Sequence, residues 1–199
     1  MMSNVEKFFV NRPHRSRIAE KGAERMLGYI NTGDVNPGLR YLEVGCGNGA
    51  AAVHIASRYS LNVTGIDVDP DQITQAQERG KGMGNVHFNV GDGAKLSFPD
   101  NTFDIVYTFY TTHHIADWLG TASEIERVLK PGGYFVYVDI VYPEWFAEAG
   151  KVLFKNHGFP TANALKEFLQ KRGLSKVHFS KHSTYCEAVF RKANRAGGV

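Results

Sequence analysis

Short apolar runs alternate with helical patterns along most of the 199-residue chain. The runs with strand character fall at 40–44, 62–67, 86–90, 103–109 and 134–139. Between them, apolar positions recur every three or four residues, as they do on one face of an α-helix. One helix is predicted over 70–79, because Asp69 is a good N-cap and Pro70 fits the first helical position. Another is predicted over 117–129. Strands that alternate with helices predict an α/β fold, in which helices cover both faces of a parallel sheet.

The two ends of the chain depart from this alternation. Apolar residues at helical spacing over 18–30 predict a helix ahead of the first strand. After the fifth strand, helical patterns continue through 143–172, and two short strand-like runs follow at 176–180 and 184–190. The brief connection between these two runs is typical of a hairpin. One of its strands should therefore run antiparallel to the rest of the sheet.

The most informative segment joins the first strand to the helix after it. Residues 41–50 read Tyr-Leu-Glu-Val-Gly-Cys-Gly-Asn-Gly-Ala, with Gly45, Gly47 and Gly49 at every second position. Glycine allows the chain to turn sharply and allows a ligand to lie close against the backbone. In open α/β sheets, a strand, a glycine loop and a helix in this order form a nucleotide-binding site at the carboxyl ends of the strands.

Acidic residues stand at the ends of the next two strands. Asp67 ends the second strand, where an acid can accept hydrogen bonds from ribose hydroxyls. Asp92 and Gly93 follow the third strand in a similar way. Further along, Leu-Lys-Pro-Gly-Gly at 129–133 is predicted to be a turn that leads into the fifth strand.

Taken in order, these four motifs resemble those of the class I S-adenosylmethionine-dependent methyltransferases. The resemblance is strong over 38–139 and looser elsewhere. It implies a Rossmann-like, doubly wound sheet of seven strands, mostly parallel, with one antiparallel strand near the C-terminus. It also implies a single domain over 1–199. Within it we expect an N-terminal helical cap at 1–36, a cofactor-binding core at 38–140, and substrate-side helices with a terminal hairpin at 141–199.

The glycine loop also has a dinucleotide interpretation. Residues 45–50 satisfy Gly-x-Gly-x-x-Ala, and Asp67 lies about where a dinucleotide-binding fold places its ribose acid. Glu43 favours the methyltransferase instead, because a carboxylate there would disfavour a pyrophosphate but suits a ligand with an ammonium and a sulfonium. From these residues alone, a dehydrogenase stays open as the alternative.

The resemblance assigns cofactor contacts residue by residue. The methionine part of S-adenosylmethionine should contact backbone groups of Gly45 and Gly47, while the ribose hydroxyls should bind Asp67. The adenine should bind Asp92 through its amino group and pack on Val68. The product, S-adenosylhomocysteine, would bind to the same residues. The full expected set is Glu43, Gly45, Cys46, Gly47, Gly49, Asp67, Val68, Asp92, Gly93, Thr108 and Phe109.

The reaction would be an in-line displacement, which needs a base only when the nucleophile arrives protonated. The best candidates for that base are His113 and His114, because imidazole titrates near neutral pH. Adjacent residues on an extended chain face opposite ways, so one of the pair should face the pocket, and His113 is favoured. Tyr110, Tyr142 and Trp145 follow strands four and five and are candidate walls for a flat or apolar acceptor.

Charge is unevenly distributed, although the net charge is only +3. Residues 1–30 carry six Lys/Arg and three acids, and residues 151–199 carry ten Lys/Arg and two acids. The basic ends could attract an anionic substrate, nucleic acid or a membrane face, but a solvated surface is the favoured interpretation. Basic residues at 12–17 could likewise close over the site as a lid.

Composition excludes several other classes. No apolar run approaches the ~20 residues that a membrane-spanning helix needs, and the N-terminus has no signal-peptide pattern. Cys46 and Cys186 are predicted to be free thiols in a reducing cytoplasm, and no Cys/His spacing predicts a metal site. The leading hypothesis is a cytoplasmic methyltransferase with a small-molecule acceptor. An RNA or protein methyltransferase and a non-catalytic S-adenosylmethionine-binding partner stay open, and the sequence names neither the acceptor nor the oligomeric state.

Overall fold

The computed structural model describes residues 13–154 and 157–194, which form seven β-strands and six α-helices. The strands are β1 (Arg40–Val44), β2 (Asn62–Asp67), β3 (Val86–Val90), β4 (Phe103–Phe109), β5 (Leu129–Ile140), β6 (Leu174–Lys181) and β7 (Tyr185–Lys192). The helices are α1 (Pro13–Leu27), α2 (Ala50–Tyr59), α3 (Pro70–Arg79), α4 (Trp118–Val128), α5 (Glu144–Leu153) and α6 (Ala162–Lys171). Two short 3-10 turns cover Thr32–Asp34 and Thr112–His114.

The seven strands of the described chain form one sheet in the order β3-β2-β1-β4-β5-β7-β6. The pairs from β3 across to β5 are parallel, whereas β7 is antiparallel to both of its neighbours, β5 and β6. The predicted hairpin is therefore present, and β7 is its reversed strand. This confirms the predicted doubly wound α/β fold with one antiparallel strand near the C-terminus.

Apolar layers cover both faces of the sheet. On one face, Met26 of α1, Ile55 of α2 and Ile73 of α3 belong to one buried cluster. On the other face, Ile125 of α4 and Leu165 of α6 belong to a second cluster. None of the described residues of α5 joins either cluster. Among the helices in the described ranges, none is long and apolar enough to cross a membrane.

The observed limits of β1 to β4 match the prediction, whereas the first helix covers Pro13–Leu27 instead of 18–30 and β5 begins earlier than predicted. Leu129 pairs with Phe103, and Tyr134 pairs with Ile105, so the predicted Leu-Lys-Pro-Gly-Gly turn lies inside the strand as an irregularity. Gly132 adopts a φ of 78° there, which suits glycine. Residues on both sides of this turn pair with β4. The turn is therefore a bulge within a longer β5 and does not precede the strand.

Helix α1 packs against α2 and reaches the end of β4. A Cβ atom at Gly22 would lie 2.9 Å from the ring of Phe109, so glycine permits the close approach of the helix to this strand. Helix α1 is the main described element of the expected cap at 1–36. Residues 1–12, including Arg12, lie outside the described residues.

Candidate active site

The candidate site lies at one edge of the sheet, where the carboxyl ends of neighbouring parallel strands meet. Strand β1 lies between β2 and β4, and β5 lies next to β4. The glycine loop follows β1, Asp67 ends β2, Thr111 follows β4, and Asp139 lies near the end of β5. The order of the strands thus brings together residues that are distant in sequence.

The glycine loop uses left-handed backbone at three positions. The φ angle is 75° at Gly45, 50° at Gly47 and 74° at Gly49, a region that side-chain-bearing residues rarely adopt. A Cβ atom on Gly45 would lie 2.3 Å from the Thr111 side chain. Glycine at this position therefore allows the loop to contact the turn after β4. Helix α2 begins directly after the loop, at Ala50.

Asp67 is hydrogen-bonded to the backbone on two sides. Its Oδ2 accepts the N–H of Gly47 at 2.9 Å, and its Oδ1 accepts the N–H of Asp69 at 3.0 Å. The residue is 9% exposed, and burial raises the pKa of its carboxyl above the ordinary value. A carboxylate has about four acceptor positions, so these two bonds leave capacity for ligand hydroxyls.

Glu43 is buried beside the glycine loop and is 3% exposed. Its Oε2 has no hydrogen-bond partner among the described residues. Burial raises the pKa of its carboxyl to about 8, although a backbone hydrogen bond from Ala52 acts in the opposite direction. A buried carboxylate oxygen without a partner is costly, so its presence here fits a ligand that brings a cation to the site.

The residues predicted to hold adenine are more open to solvent. Val68, just after β2, is 54% exposed. Asp92 is exposed, and its Oδ1 accepts the N–H of Ala94 at 2.9 Å. Gly93 is buried, and a Cβ atom there would lie 2.8 Å from the Val44 side chain. These residues leave an accessible surface beside β2 and β3, and their contact with adenine stays a prediction.

Three other predicted cofactor residues lie deeper in the fold. Cys46 is buried, its Sγ lies 3.6 Å from the carbonyl oxygen of Gly47, and burial raises the pKa of its thiol well above the ordinary value. Thr108 is fully buried within β4, and its hydroxyl has no partner among the described residues. Phe109 is half-buried, with its ring 4.8 Å from that of Tyr110. The cysteine is therefore a neutral thiol at physiological pH.

His113 and Asp139 form a hydrogen-bonded pair at the end of β5. The Nδ1 atom of His113 lies 2.5 Å from Oδ1 of Asp139. His113 is 9% exposed, and Asp139 is completely buried. An ionised Asp139 can only accept, so Nδ1 is then the donor of this bond, and in the neutral imidazole Nε2 is the acceptor. A general base oriented by an acid has this arrangement.

Several donors hold the Asp139 carboxylate in place. Its Oδ2 accepts the N–H of Thr111 at 2.9 Å, and also the N–H and the hydroxyl of Thr112 at 2.5 and 2.7 Å. The hydroxyl of Tyr137 lies 3.1 Å from the Thr112 hydroxyl, and Oδ1 of Asp139 accepts the N–H of Ile140 at 2.7 Å. These bonds fix the orientation of the carboxylate and, through it, the orientation of the His113 ring.

The two candidate histidines occupy different environments. Residues 112–114 form a 3-10 turn instead of an extended segment, and this turn buries His113 while His114 is exposed. Their ring centroids lie 3.9 Å apart. The carbonyl oxygen of His113 accepts the N–H of Gly158 at 3.1 Å, which connects the turn to the segment after α5.

The predicted acceptor walls also separate into two groups. Tyr110 is half-buried and has a φ of 50°, a left-handed conformation that costs a bulky residue about 1–2 kcal/mol. Strained residues of this kind cluster at functional sites. Tyr142 is half-buried and stacks on Phe146 with 5.6 Å between ring centroids. Trp145 is 75% exposed, so its side chain faces mostly solvent.

The sequence analysis did not select Asp139 as a site residue. The available signal was an acid near the carboxyl end of an apolar strand, the same signal that selected Asp67. The partner of Asp139, His113, lies 26 positions earlier, and their contact depends on the pairing of β4 with β5. No motif spacing in the sequence reports that contact.

Comparisons with known proteins agree with this fold. Residues 42–137 match a family model described as a methyltransferase domain. An O-methyltransferase from Aspergillus nomiae is 33% identical over 179 residues, covering 84% of this chain and 79% of that protein. A 2-methyl-6-phytyl-1,4-hydroquinone methyltransferase from Synechocystis is 41% identical over 125 residues, covering 63% of this chain and 39% of that protein. The crystal structure of a SAM dependent methyltransferase from Aquifex aeolicus aligns with a TM-score of 0.72 and 20% identity, covering 96% of this chain and 99% of that one.

The chain belongs to the class I S-adenosylmethionine-dependent methyltransferases, and S-adenosylmethionine is its cofactor. The dinucleotide interpretation of the glycine loop is therefore set aside. The unpartnered, buried Oε2 of Glu43 fits a ligand that carries an ammonium group. The chain spans about two fifths of the length of the Synechocystis hydroquinone methyltransferase.

Proposed function

We propose that this protein is an enzyme that methylates a hydroxyl group of a small-molecule acceptor, with His113 as the general base. The observation that carries the proposal is the 2.5 Å contact between His113 Nδ1 and Asp139 Oδ1 at the carboxyl edge of the sheet. A hydroxyl is a weak nucleophile until its proton is removed, so this acceptor class benefits from a positioned base.

The described residues support the following roles. Nε2 of His113 takes the hydroxyl proton as the acceptor oxygen attacks, and Asp139 stabilises the imidazolium that forms. Thr112 holds Asp139 through its N–H and its hydroxyl. Tyr110 and Tyr142 are half-buried at the same edge and would pack against an acceptor that is flat or apolar.

The cofactor would be held by the residues that the resemblance assigns to it. The bound S-adenosylmethionine supplies an activated methyl group. Glu43 would pair with its ammonium group, and Asp67 would accept hydrogen bonds from its ribose hydroxyls. Gly45 and Gly47 would present backbone groups to its methionine part, and Asp92 would accept from its adenine amino group. These contacts are part of the proposal.

Two of the relatives support a small acceptor, and one of them supports methylation at oxygen. One is an O-methyltransferase, and this chain covers most of its length. The other is a hydroquinone methyltransferase, to which the similarity is partial. The basic ends of the chain would also suit nucleic acid, but no described residue adds a specific feature in favour of that substrate.

Cofactor binding is the first test. We would titrate the protein with S-adenosylmethionine, S-adenosylhomocysteine and NAD in a calorimeter, beside the variant Asp67→Asn. We expect both sulfur ligands to bind and NAD not to bind. The variant should lower the affinity for the sulfur ligands at least about ten-fold, because a hydrogen bond to a charged acceptor contributes about 1.5–3 kcal/mol. Unchanged affinity in the variant would remove Asp67 from the cofactor site.

Turnover is the second test. S-adenosylhomocysteine formation would be measured with panels of phenols, hydroquinones, carboxylic acids, amines and unmodified RNA. We expect hydroxyl acceptors to react, and His113→Gln to lower kcat at least about 100-fold without changing S-adenosylhomocysteine affinity, since general bases contribute that much or more. His114→Gln is the matched control and should have a small effect.

Other outcomes of the turnover test separate the alternatives. Reaction with amines that is equally fast in His113→Gln would contradict the general-base role. Methylation of RNA, with binding that weakens steeply as salt rises, would favour a nucleic-acid substrate. Intact cofactor binding without turnover of any acceptor would favour a non-catalytic partner subunit.

A further inference from the structure

Arg127 of helix α4 uses every one of its hydrogen-bond donors. Its Nε donates to Oε1 of Glu124 at 2.8 Å, and its Nη2 donates to Oε2 of Glu124 at 2.8 Å and to the carbonyl oxygen of Leu96 at 3.0 Å. Its Nη1 donates to the carbonyl oxygen of Phe98 at 2.7 Å and to Oδ1 of Asp100 at 2.9 Å. These bonds engage all five N–H groups of a guanidinium, so they hold the side chain in one orientation.

Glu124 completes the attachment of the loop to α4. Its Oε2 also accepts the backbone N–H of Leu96 at 2.9 Å, so both backbone groups of Leu96 are bonded to the helix. The hydrogen bonds from Arg127 lower the pKa of the Glu124 carboxyl, which is therefore ionised at neutral pH. Leu96 is buried, but residues 97–100 are mostly exposed. Surface loops are usually more mobile than the elements they connect, and here the bonds to α4 fix the backbone.

This loop begins at the residues that we predict to hold adenine. Asp92 accepts the N–H of Lys95 through its carbonyl oxygen at 3.1 Å and the N–H of Ala94 through its carboxylate at 2.9 Å. These bonds close a tight turn between Asp92 and Leu96. Asp92, Leu96 and Phe98 also line one cleft of about 160 Å³. A shift of the backbone at Leu96 would therefore be transmitted to the Asp92 carboxylate.

Helix α4 also contacts the beginning of the same segment. A Cβ atom on Gly93 would lie 3.3 Å from Cγ2 of Thr121, so the chain passes close to the helix there. Thr121, Glu124 and Arg127 are three positions apart, a spacing that makes successive residues neighbours on the helix surface. One side of α4 thus holds the segment from 93 to 98.

We propose that Arg127 is a positioning residue for the cofactor, and that it holds segment 92–98 in the conformation that recognises the adenine ring. The proposal rests on the proposed placement of adenine against this segment. An exposed ion pair alone would contribute little, but the Arg127 bonds to Leu96 and Phe98 go to backbone carbonyl groups and fix the path of the chain. Arg127 would touch neither cofactor nor acceptor, so its loss should impair recognition of the base.

A cofactor analogue that differs only in its base provides the test. S-inosylhomocysteine carries an oxygen where S-adenosylhomocysteine carries the amino group, and it cannot donate a hydrogen bond from that position. We expect the unmodified protein to bind S-adenosylhomocysteine at least about ten-fold more tightly, because a hydrogen bond to a charged acceptor contributes that much. Calorimetric titration gives both affinities, and their ratio is the readout.

Arg127→Lys keeps the positive charge but loses the planar fork that reaches Glu124 and two carbonyl groups at once. We expect the ratio to fall at least about three-fold, because Asp92 is then less well placed to accept from the amino group. Hydrogen exchange of the amides at 92–98 should become faster in the free variant. Glu124→Gln should lower the ratio less, because it leaves the Arg127 bonds to the loop carbonyls in place.

Arg25→Lys is the matched control. Arg25 of α1 also makes a two-point ion pair, with Glu187 of β7, but α1 packs on the opposite face of the sheet from α4. The same substitution there should leave the ratio and the exchange at 92–98 unchanged, even where it lowers stability. The control therefore separates the positioning of the base from a general loss of stability.

An unchanged ratio in Arg127→Lys would overturn the proposal, and so would a fall of both affinities by the same factor. A ratio near one in the unmodified protein would overturn it too. Asp92→Asn separates these results from a failure of the proposed cofactor site. If only Asp92→Asn loses the preference for adenine, the positioning role of Arg127 is wrong and the Asp92 contact stands. If only Arg127→Lys loses it, the segment positions the base through a residue other than Asp92.

Discussion

Arg25 of helix α1 and Glu187 of strand β7 form a two-point ion pair that joins the beginning of the described chain to its end. Nη1 of Arg25 donates to Oε2 of Glu187 at 2.6 Å, and Nη2 donates to Oε1. The Glu187 side chain is 4% exposed, whereas that of Arg25 is 52% exposed. The ion pair holds α1 against the reversed strand β7. Phe109 packs against the same helix, on the same side of the sheet.

Removal of Arg25 should destabilise the protein. Arg25→Met would leave the buried Glu187 carboxylate without its partner, and we expect the free energy of unfolding to fall by about 2 kcal/mol. This is less than the 3–5 kcal/mol of a fully buried pair, because Arg25 is half exposed. Urea unfolding would measure it. Arg58→Met is the control, because Arg58 pairs with Glu24 at the surface and should change stability by under about 1 kcal/mol.

The same pair predicts a loss of stability in acid. The hydrogen bond from Arg25 lowers the pKa of Glu187 below its ordinary value of 4.5. A carboxyl with a depressed native pKa stabilises the fold above its unfolded pKa, and this contribution is lost as pH falls through the native pKa. We therefore expect the unfolding free energy of the unmodified protein to drop more steeply below about pH 4.5 than that of Glu187→Gln. Parallel curves would contradict the ion pair.

Glu43 should show the opposite pH dependence. Burial raises its pKa to about 8, so the folded protein keeps a proton between pH 4.5 and 8 that the unfolded chain releases. Its effect is thus a loss of stability as pH rises across that range, by at most about 1.4 kcal/mol per pH unit. We expect Glu43→Gln to flatten this slope in unfolding measurements at pH 6 and pH 8.

Glu43 should also release its proton when the cofactor binds. An ammonium group beside the carboxylate favours the ionised form, so S-adenosylhomocysteine binding should release protons near pH 7 and tighten as pH approaches 8. Calorimetry in two buffers with different ionisation enthalpies would count these protons. We expect Glu43→Gln to bind more weakly and to release none. Identical proton release in both proteins would assign the effect to another group.

A side chain at position 45 should damage the glycine loop. Gly45→Ala places a Cβ 2.3 Å from the Thr111 side chain and forces alanine into a left-handed conformation that costs about 1–2 kcal/mol. We expect weaker S-adenosylhomocysteine binding and a lower melting temperature. Gly45→Ala/Thr111→Ala should recover part of the loss, because it removes the two closest atoms of Thr111 but leaves the Cβ of residue 111 at 2.9 Å and keeps the backbone strain. Gly33→Ala is the control, with nothing within 4 Å of the added Cβ.

Thr112 is expected to position the proposed base through Asp139. Thr112→Val removes the 2.7 Å hydroxyl bond to Asp139 Oδ2 and should lower kcat for a hydroxyl acceptor about ten-fold, with KM nearly unchanged. Thr112→Ser keeps the hydroxyl and should restore most of kcat. If the serine variant were as slow as the valine variant, the hydroxyl bond to Asp139 would not account for the loss, and the positioning role of that hydroxyl would be contradicted.

The sequence by itself determined the succession of elements and the location of the cofactor loop. Local periodicity separates strands from helices, and the chemistry of a left-handed turn selects glycine at 45, 47 and 49. Asp67 was also accessible from the sequence, because it follows an apolar strand at a known distance from the loop. Each of these signals is contained within one short stretch of the chain.

The tertiary structure alone decided which side chains meet. His113 reaches Asp139 because β4 and β5 are neighbours, and Arg25 reaches Glu187 because the reversed strand β7 inserts between β5 and β6. The 3-10 turn at 112–114 decides which histidine is buried. These contacts follow from strand order and local turn geometry. Neither is visible in the sequence, because the apolar periodicity of a strand is the same whichever strand lies beside it.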